Sequence, residues 1–302
     1  ISIILVLSSF AILATKGLNY GVDFAGGTIV QVKYNSAAPI DEMREKLKSN
    51  SIFDGASITE FGSKEEVVIR MRTTTGDVVV DVGDVARETL EGTGEFEIRR
   101  VDIVGPKVGS ELKEKGIMSL IFAVVGILIY VAFRFEWRFA VASILALVHD
   151  VSIALGAIAL VGLETNLDVL AALLTILGYS LNDTIIIFDR IRESVVKGKD
   201  VEFVEIINDS ITRTLGRTTL TSLTTLLVVF TLFMFGGEII HAFAFTLLVG
   251  IVVGTYSSFF VASPTLLLFG FDIKNYHVKL AEKTKREAEK ERMRAQYESG
   301  IM

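Results

Sequence analysis

Five long runs of apolar residues restrict the folds that this sequence can adopt. The runs cover residues 117–133, 139–161, 169–188, 218–235 and 242–269. A helix needs about 20 consecutive apolar residues to cross the roughly 30 Å of hydrocarbon in a bilayer. A hydrophobic content of 51% would suit a soluble protein as well, but a soluble domain seldom has a mean hydropathy as positive as +0.52, and the apolar residues here are clustered. The runs therefore predict a polytopic α-helical membrane protein.

A shorter apolar run, residues 1–15, opens the chain. It is too short to cross a bilayer, and no basic region precedes it as one would in a signal peptide, which is the alternative interpretation. The chain also begins with Ile1 rather than Met. We therefore expect a first transmembrane helix that is truncated at its N-terminus, which makes six transmembrane helices in all, with helices 2–6 over 117–269.

Basic residues lie on one side of the predicted membrane segments. Lys and Arg are frequent in two connections and in the tail, and absent from the two connections on the opposite side. The basic segments are 134–138, 189–217 and 270–302, and the segments without Lys or Arg are 162–168 and 236–241. Because cytoplasmic connections carry the excess of Lys and Arg, we expect both termini in the cytoplasm. Residues 16–116 are then one extracytoplasmic domain, and 270–302 is a cytoplasmic charged tail.

The outer segment alternates strand and helix patterns. The patterns predict strand, helix, strand, strand, helix and strand, over 28–34, 39–50, 57–62, 65–73, 79–92 and 95–105. This order predicts an α+β ferredoxin-like domain of the βαββαβ type between helices 1 and 2. The fold hosts many functions, so a folded spacer is the alternative.

In the tail, the charged run 279–298 predicts a solvated or disordered helix, with binding to an anionic membrane surface as the alternative.

Acidic side chains interrupt two of the apolar runs. In GYSLNDTIIIFDRIRE (178–193), Asp183 follows Asn182 and lies roughly 21 Å below the outer boundary of its span. In the preceding span, Asp150 follows His149 roughly 17 Å from the inner face, so both acids could meet near the middle of the membrane. A carboxylate at such depth costs several kcal/mol unless it is paired, protonated or hydrated. We interpret Asp183 as a titrating group in an ion path, whereas His149 and Asp150 suit either an ion path or a hydrogen-bonded clamp between helices.

A cation and a row of hydroxyl groups follow at the start of the run 218–235. Arg217 has two interpretations, a surface anchor that reaches water or a buried partner of Asp183. Hydroxyl groups on a helix face can cross-link neighbouring helices or line a hydrated path. Those of this run belong to Thr218, Thr219, Thr221, Ser222, Thr224 and Thr225. Burial favours the protonated form of a carboxyl group and a guanidinium favours the ionised form, so a movable contact between Asp183 and Arg217 could switch the acid.

Other chemistry finds little support in the sequence. There is no cysteine, which excludes disulfides and Cys-ligated metals. Phosphate-loop, zinc-protease and serine-hydrolase motifs are absent, so energy coupling would have to use an ion gradient. Two intramembrane acids also suggest an aspartyl protease, but a His before one acid and an Asn before the other suit that interpretation less well.

Five sequence blocks together resemble a known family. They are NYGVDFAGGT (19–28), VGPKVGSEL (104–112), GYSLNDTIIIFDRIRE (178–193), TLGRTTLTSLTTLL (214–227) and FVASPTLLL (260–268). In these blocks, and over essentially the whole chain, the sequence resembles the SecD/SecF family of protein-export membrane subunits, within the resistance-nodulation-division superfamily. The third and fourth blocks are the most specific.

The resemblance implies an accessory subunit of the Sec translocon in the cell membrane of a prokaryote. Such a subunit is not an enzyme; it uses the proton motive force, or a sodium gradient, to assist the export of preproteins. The resemblance assigns proton coupling to Asp183 and Arg217. From the polar residues of the apolar runs, we expect Asn182, Asp150, His149 and Thr221 to be supporting residues. Its partners would be SecD, the SecYEG channel, YidC, an unfolded preprotein and the lipid bilayer, with no nucleic acid, cofactor or metal. The alternatives are an exporter of small molecules or lipids from the same superfamily and a passive scaffold of the translocon.

Overall fold

The computed structural model of the chain is mostly helical and describes residues 1–71, 81–197, 201–270, 282 and 285–294. Parts of the predicted elements at 65–73 and 79–92 lie outside these residues. Most of the charged tail also lies outside them, and within it residues 285–294 are helical.

A 15-residue apolar helix, α1 (Ser2–Lys16), opens the chain and leads into a small α/β segment. The elements that follow are β1 (Asn19–Tyr20), α2 (Val22–Ala25), β2 (Gly27–Tyr34), α3 (Ile40–Lys48), β3 (Ser57–Phe61), β4 (Ser63–Met71), α4 (Val82–Leu90) and β5 (Phe96–Val104). The sequence patterns had indicated neither β1 nor α2, because elements of two and four residues are too short to display a period.

A four-stranded antiparallel sheet forms the centre of the outer segment, with the strands in the order β3-β4-β2-β5. Along β2, alternate residues Val30, Val32 and Tyr34 are buried, as the period of a strand requires when one face is covered. The amphipathic helices α3 and α4 bury Met43, Leu47, Ala86 and Leu90, which join the same apolar core. The core thus lies between one face of the sheet and two helices.

Within the described residues, five helices are long and apolar enough to cross a membrane. They are α5 (Pro106–Arg134), α6 (Trp137–Val161), α7 (Leu167–Lys197), α8 (Phe203–Phe235) and a continuous helix over Ile239–Leu268. The last comprises α9 (Gly237–Ser257), a π-helical turn (Ser258–Ala262) and α10 (Ser263–Leu268). Each predicted apolar run lies within one of these helices to within one residue.

The long helices extend beyond the apolar runs. The predicted connection 189–217 is largely helical, because α7 continues to Lys197 and α8 already begins at Phe203. Its Lys, Arg and Glu residues are good helix formers in water, so hydropathy marks only the part of each helix that suits hydrocarbon.

Glycines set the closest contacts between helices. A Cβ atom at Gly156 of α6 would lie 2.4 Å from Oγ of Ser9, so α1 rests against the backbone of α6. On α9, a Cβ atom at Gly250 would lie 2.2 Å from side-chain atoms of Ile176, and one at Gly254 would lie 3.0 Å from Cβ of Ser180. Small residues four apart allow helix backbones to approach closely in a membrane protein. The Gly250/Gly254 face therefore brings α9 tightly against α7.

Candidate functional site in the helix bundle

Asp183 lies in the interior of the helix bundle with only 1% of its surface exposed. The Ser222 hydroxyl on α8 donates a hydrogen bond to its Oδ2 at 3.2 Å, and the Thr255 hydroxyl on α9 donates to Ser222 Oγ at 2.9 Å. Three helices thus meet at one carboxyl group through a chain of hydroxyls. Among the described residues, Ser222 is the one hydrogen-bond donor to Asp183, so the carboxyl has capacity for further partners.

Asp150 is fully buried and far better supplied with donors. The hydroxyls of Ser180 on α7 and Ser257 on α9 donate to its Oδ2 at 2.6 and 2.9 Å. Its Oδ1 lies 2.9 Å from Nδ1 of His149, a geometry that favours the tautomer with the proton on Nδ1. The ring of Tyr256 stacks beside this imidazole, with the ring centroids 6.3 Å apart. Asp150 therefore holds α6, α7 and α9 together.

Sequence spacing accounts for the way in which α7 presents its polar groups. Ser180, Asp183 and Thr184 are three and four residues apart, so they lie on one face of the helix, and all three are buried. The Thr184 hydroxyl lies 2.9 Å from that of Ser258, the first residue of the π-helical turn. A π turn inserts one extra residue and changes the direction of the side chains around it, and such turns are frequent at functional sites. The hydroxyl-rich face of α7 consequently meets hydroxyls on both α8 and α9.

The remaining predicted residues lie outside this cluster. The side chain of Arg217 is exposed and lines a cavity of about 560 Å³ between α5, α7 and α8, together with Arg134, Arg190 and Arg213. Arg217 is five residues before Ser222 on α8, a rise of about 7.5 Å along the helix. In the part of the chain that the structure covers, Arg217 forms no ion pair.

Among the described residues, the side chains of Asn182 and Thr221 also form no hydrogen bond with the Asp183 carboxyl. Asn182 is exposed on the opposite side of α7. The Thr221 hydroxyl donates to the carbonyls of Arg217 and Thr218 at 3.1 and 2.9 Å, so it serves its own helix. Of the predicted residues, the structure therefore brings together His149 and Asp150, and it places Asp183 with Ser222 rather than with Arg217.

Four hydroxyl residues and two glycines complete the site and were not predicted as members of it. Ser222 had been noted only within its row of hydroxyls, and Ser180, Thr255 and Ser257 had not been noted. A usable signal was present in the Gly250-x-x-x-Gly254 spacing followed at once by Thr-Tyr-Ser-Ser, which indicates a close helix contact next to a polar face.

The arrangement also limits the chemistry. Within the described ranges, no group of three or more His, Cys, Asp or Glu side chains could hold a metal ion. The carboxyls of Asp150 and Asp183 share no hydrogen bond there, whereas an aspartyl protease needs two carboxyls that share a proton. The site consists of two buried acids in a seam of hydroxyls, a composition that suits binding and release of a small cation such as a proton.

Long apolar helices, an α/β segment between α1 and α5, and buried acids between helices define a polytopic membrane protein with an intramembrane polar site. Residues 85–272 match the family model described as "Protein export membrane protein SecD/SecF, C-terminal", and residues 11–38 match "SecD/SecF GG Motif". The chain belongs to the SecD/SecF family of protein-export membrane proteins.

Known relatives of the family cover nearly the whole chain. The protein translocase subunit SecF of Helicobacter pylori J99 is 49% identical over 300 residues, which are 99% of this chain and 93% of the relative. The subunit of that name from Escherichia coli O157:H7 is 39% identical over 290 residues, 95% of this chain and 88% of the relative.

A solved structure shares the fold. The crystal structure of SecDF, a translocon-associated membrane protein from Thermus thermophilus, matches 89% of this chain with a TM-score of 0.75 and 37% sequence identity. The matched part is 37% of the SecDF chain, so this chain corresponds to a little over a third of that protein.

Proposed function

We propose that the chain is an accessory subunit of the Sec translocon that assists preprotein export by using an ion gradient. The observation that carries this proposal is the buried Asp183, which has one hydroxyl donor within the described residues and lies deep in an apolar helix. A carboxyl group that served only as a clamp would be expected to have a full set of donors, as Asp150 has.

The mechanism follows from the positions of Asp183, Ser222 and Arg217. In the observed packing, the carboxyl is buried and forms no ion pair among the described residues, and burial without a cation favours the protonated form of a carboxyl group. Arg217 lies nearer the inner end of α8, with its side chain exposed and without an ion pair in the described part of the chain. A change in the packing of α8 against α7 would bring this guanidinium or water to the carboxyl, which would favour the ionised form and release of the proton to the inner side. Protons are the ion proposed, and sodium is the alternative.

The proposed topology has six transmembrane helices with both termini in the cytoplasm of a prokaryotic cell, in its plasma membrane. α1 counts as the first span, although it has only 15 residues. The strand order β3-β4-β2-β5 and the helices α3 and α4 support the assignment of the outer segment to the ferredoxin-like fold. The basic residues at the inner ends of α5, α7 and α8 support the orientation.

The proposed partners follow from the family and from the sheet. SecD would supply the remaining spans, since this chain matches a little over a third of SecDF. The SecYEG channel and YidC would lie beside the pair in the bilayer. In the sheet that the described residues form, β3 and β5 are the edge strands, and we propose that an unfolded preprotein pairs with one of them by strand addition, whatever its sequence.

Replacement of Asp183 by Asn tests the proposal. The amide keeps the size and hydrogen-bonding capacity of the side chain but stays neutral, so it cannot bind and release a proton. The chain should therefore fold and join its complex, yet lose gradient-dependent export and the accompanying proton flux. Asp168→Asn is the matched control, because Asp168 is an exposed acid at the other end of the same helix. Wild-type export by Asp183→Asn under a proton gradient would mean that the carboxyl is structural and the chain a passive scaffold.

Arg217 provides a second arm of the same experiment. Arg217→Ala should also impair coupling, because no cation then approaches the carboxyl. Arg217→Lys should retain part of the activity, since lysine keeps the charge but lacks the planar fork of donors. Equal export by the Ala, Lys and wild-type proteins would contradict the role of the cation.

A further inference from the structure

The double-glycine segment, residues 19–27 with Gly26 and Gly27 at its end, forms hydrogen bonds with the residues just before α7. β1 pairs in parallel with β6 (Glu164–Thr165), the short strand before α7, with Asn19 opposite Glu164 and Tyr20 opposite Thr165. The backbone N–H of Gly21 then donates to the carbonyl of Thr165 at 2.9 Å. These bonds tie residues 19–21 to Glu164 and Thr165, which are separated from the helix by Asn166 alone.

Asp23 completes the attachment. Its Oδ2 accepts a hydrogen bond from the N–H of Leu167, the first residue of α7, at 3.1 Å. Asn166, the residue before the helix, caps the same first turn, because its Oδ1 accepts a hydrogen bond from the N–H of Val169 at 3.0 Å. The first N–H groups of a helix lack partners inside the helix, and a carboxylate there also interacts favourably with the helix dipole. The outer end of α7 is thus capped by a side chain that lies 144 residues earlier in the sequence.

The other side of the same segment is held by α5. A Cβ atom at Gly109 of α5 would lie 2.9 Å from the backbone N of Gly26 and 3.0 Å from the carbonyl of Phe24. Gly26 has a φ of +78°, and a Cβ atom there would lie 2.9 Å from Cα of Pro106. The segment is therefore wedged between the outer ends of α5 and α7. It continues without a linker into β2, a central strand of the four-stranded sheet.

We infer that Asp23 is a positioning residue that links the outer sheet mechanically to the helix carrying Asp183. This inference rests on the proposed coupling role of Asp183. α7 is one uninterrupted helix from Leu167 past Asp183, about 24 Å along its axis, so a shift at its outer end displaces the acid as well. Movement of the sheet when it engages or releases a polypeptide thereby changes the contact between Asp183 and Ser222, and protonation of Asp183 acts back on the sheet by the same route.

The first experiment tests the attachment itself, by amide hydrogen exchange of residues 167–169 in the full-length chain. Asp23→Ala removes the acceptor and should speed exchange about five-fold, the effect expected for loss of one helix cap. Asp23→Asn keeps a side-chain oxygen and should stay near wild type. Asp168→Ala removes an acid from the same turn without removing the cap, and should change exchange by no more than about two-fold. Unchanged exchange in Asp23→Ala would overturn the inference.

The second experiment measures export in membrane vesicles that contain the complete translocon, with the gradient present and with it collapsed. Asp23→Ala should lower the gradient-dependent part of export about five-fold and leave the remainder unchanged. A disulfide between Asn19→Cys and Glu164→Cys, added to Asp23→Ala, should restore coupling when oxidised and lose it when reduced. The sequence contains no other cysteine. Wild-type gradient dependence in Asp23→Ala, or an equal loss of export with the gradient collapsed, would overturn the role of Asp23.

The two proposals fail in different ways. If Asp183→Asn exports like wild type, the proposed function is wrong whatever Asp23 does. If Asp183→Asn abolishes coupling and Asp23→Ala does not, the acid operates without the attachment, and only the inference about Asp23 is wrong.

Discussion

The hydroxyl of Ser222 donates to Oδ2 of Asp183 at 3.2 Å, so α8 holds the buried acid through a neutral side chain while Arg217 lies more than one helical turn away. A hydroxyl can donate to a carboxylate and accept from a carboxylic acid. Ser222 is therefore compatible with both protonation states of Asp183, whereas a guanidinium favours only the ionised one.

Loss of the Ser222 hydroxyl should impair coupling without preventing assembly. Ser222→Ala removes the one hydroxyl that donates to the Asp183 carboxyl among the described residues. The carboxyl then loses a hydrogen bond, and an unsatisfied buried polar group costs about 1–3 kcal/mol. Gradient-dependent export should fall several-fold, while Ser222→Thr, which keeps a hydroxyl, should retain most of it. Thr224→Ala is the control, because the Thr224 hydroxyl is exposed and donates to the carbonyl of Thr221 on its own helix. Full activity of Ser222→Ala would show that the donor is dispensable.

The contact between α7 and α9 should not tolerate a methyl group at Gly250. A Cβ atom there would lie 2.2 Å from Ile176, and overpacking of this kind costs about 1–3 kcal/mol. Gly250→Ala should therefore lower the thermal unfolding temperature of the chain in detergent, and Ile176→Ala in the same chain should recover part of the loss. Gly178→Ala on α7, where the added methyl group would have open space, should be neutral or slightly stabilising. Equal behaviour of the two glycine variants would contradict the close packing.

In the outer segment, the buried hydroxyls of Tyr34 and Thr93 lie 2.7 Å apart. Thr93 donates its own proton to the carbonyl of Leu90, so Tyr34 is the donor to Thr93. Tyr34→Phe should destabilise the segment by about 0.5–1.5 kcal/mol at neutral pH, the usual net value of one hydrogen bond.

The pH dependence of stability provides a further test at the same position. Burial raises the pKa of the Tyr34 hydroxyl, and the nearby negative charge of Glu42 acts in the same direction. The folded state then holds this proton more tightly than the unfolded chain, so the contribution of Tyr34 is complete below about pH 10 and is lost as the pH rises above it. Near-ultraviolet circular dichroism during an alkaline titration should detect the loss, and Tyr34→Phe should reduce it. An unchanged alkaline transition in Tyr34→Phe would contradict this assignment.

Single cysteines should report the orientation of the chain, because the sequence contains none of its own. Ser36→Cys and Glu95→Cys lie at exposed positions of the outer segment, and Val196→Cys is exposed near the end of α7. An impermeant thiol reagent added to intact cells should label the first two and should reach Val196→Cys only after the membrane is opened. Labelling of Val196→Cys from outside would reverse the proposed topology.

Hydropathy and strand period by themselves were sufficient to locate the five long helices and, apart from β1 and α2, the order of the described strands and helices between α1 and α5. The reason is that a chain in hydrocarbon must satisfy its backbone within each segment, so an apolar run of sufficient length becomes a helix whatever its neighbours are. The cost of a buried carboxylate likewise made Asp183 and Asp150 notable from sequence alone.

Only the tertiary structure decided which partners these acids have. Ser257 is 107 residues from Asp150, and Asp23 is 144 residues from the helix that it caps. Hydropathy estimates the depth of a residue in the membrane but not the direction that its side chain takes around the helix axis. That direction depends on packing, here on the glycines that let α9 approach α7 and on the π turn that follows them. Asp183 therefore meets Ser222, while Arg217 faces the cavity between α5, α7 and α8.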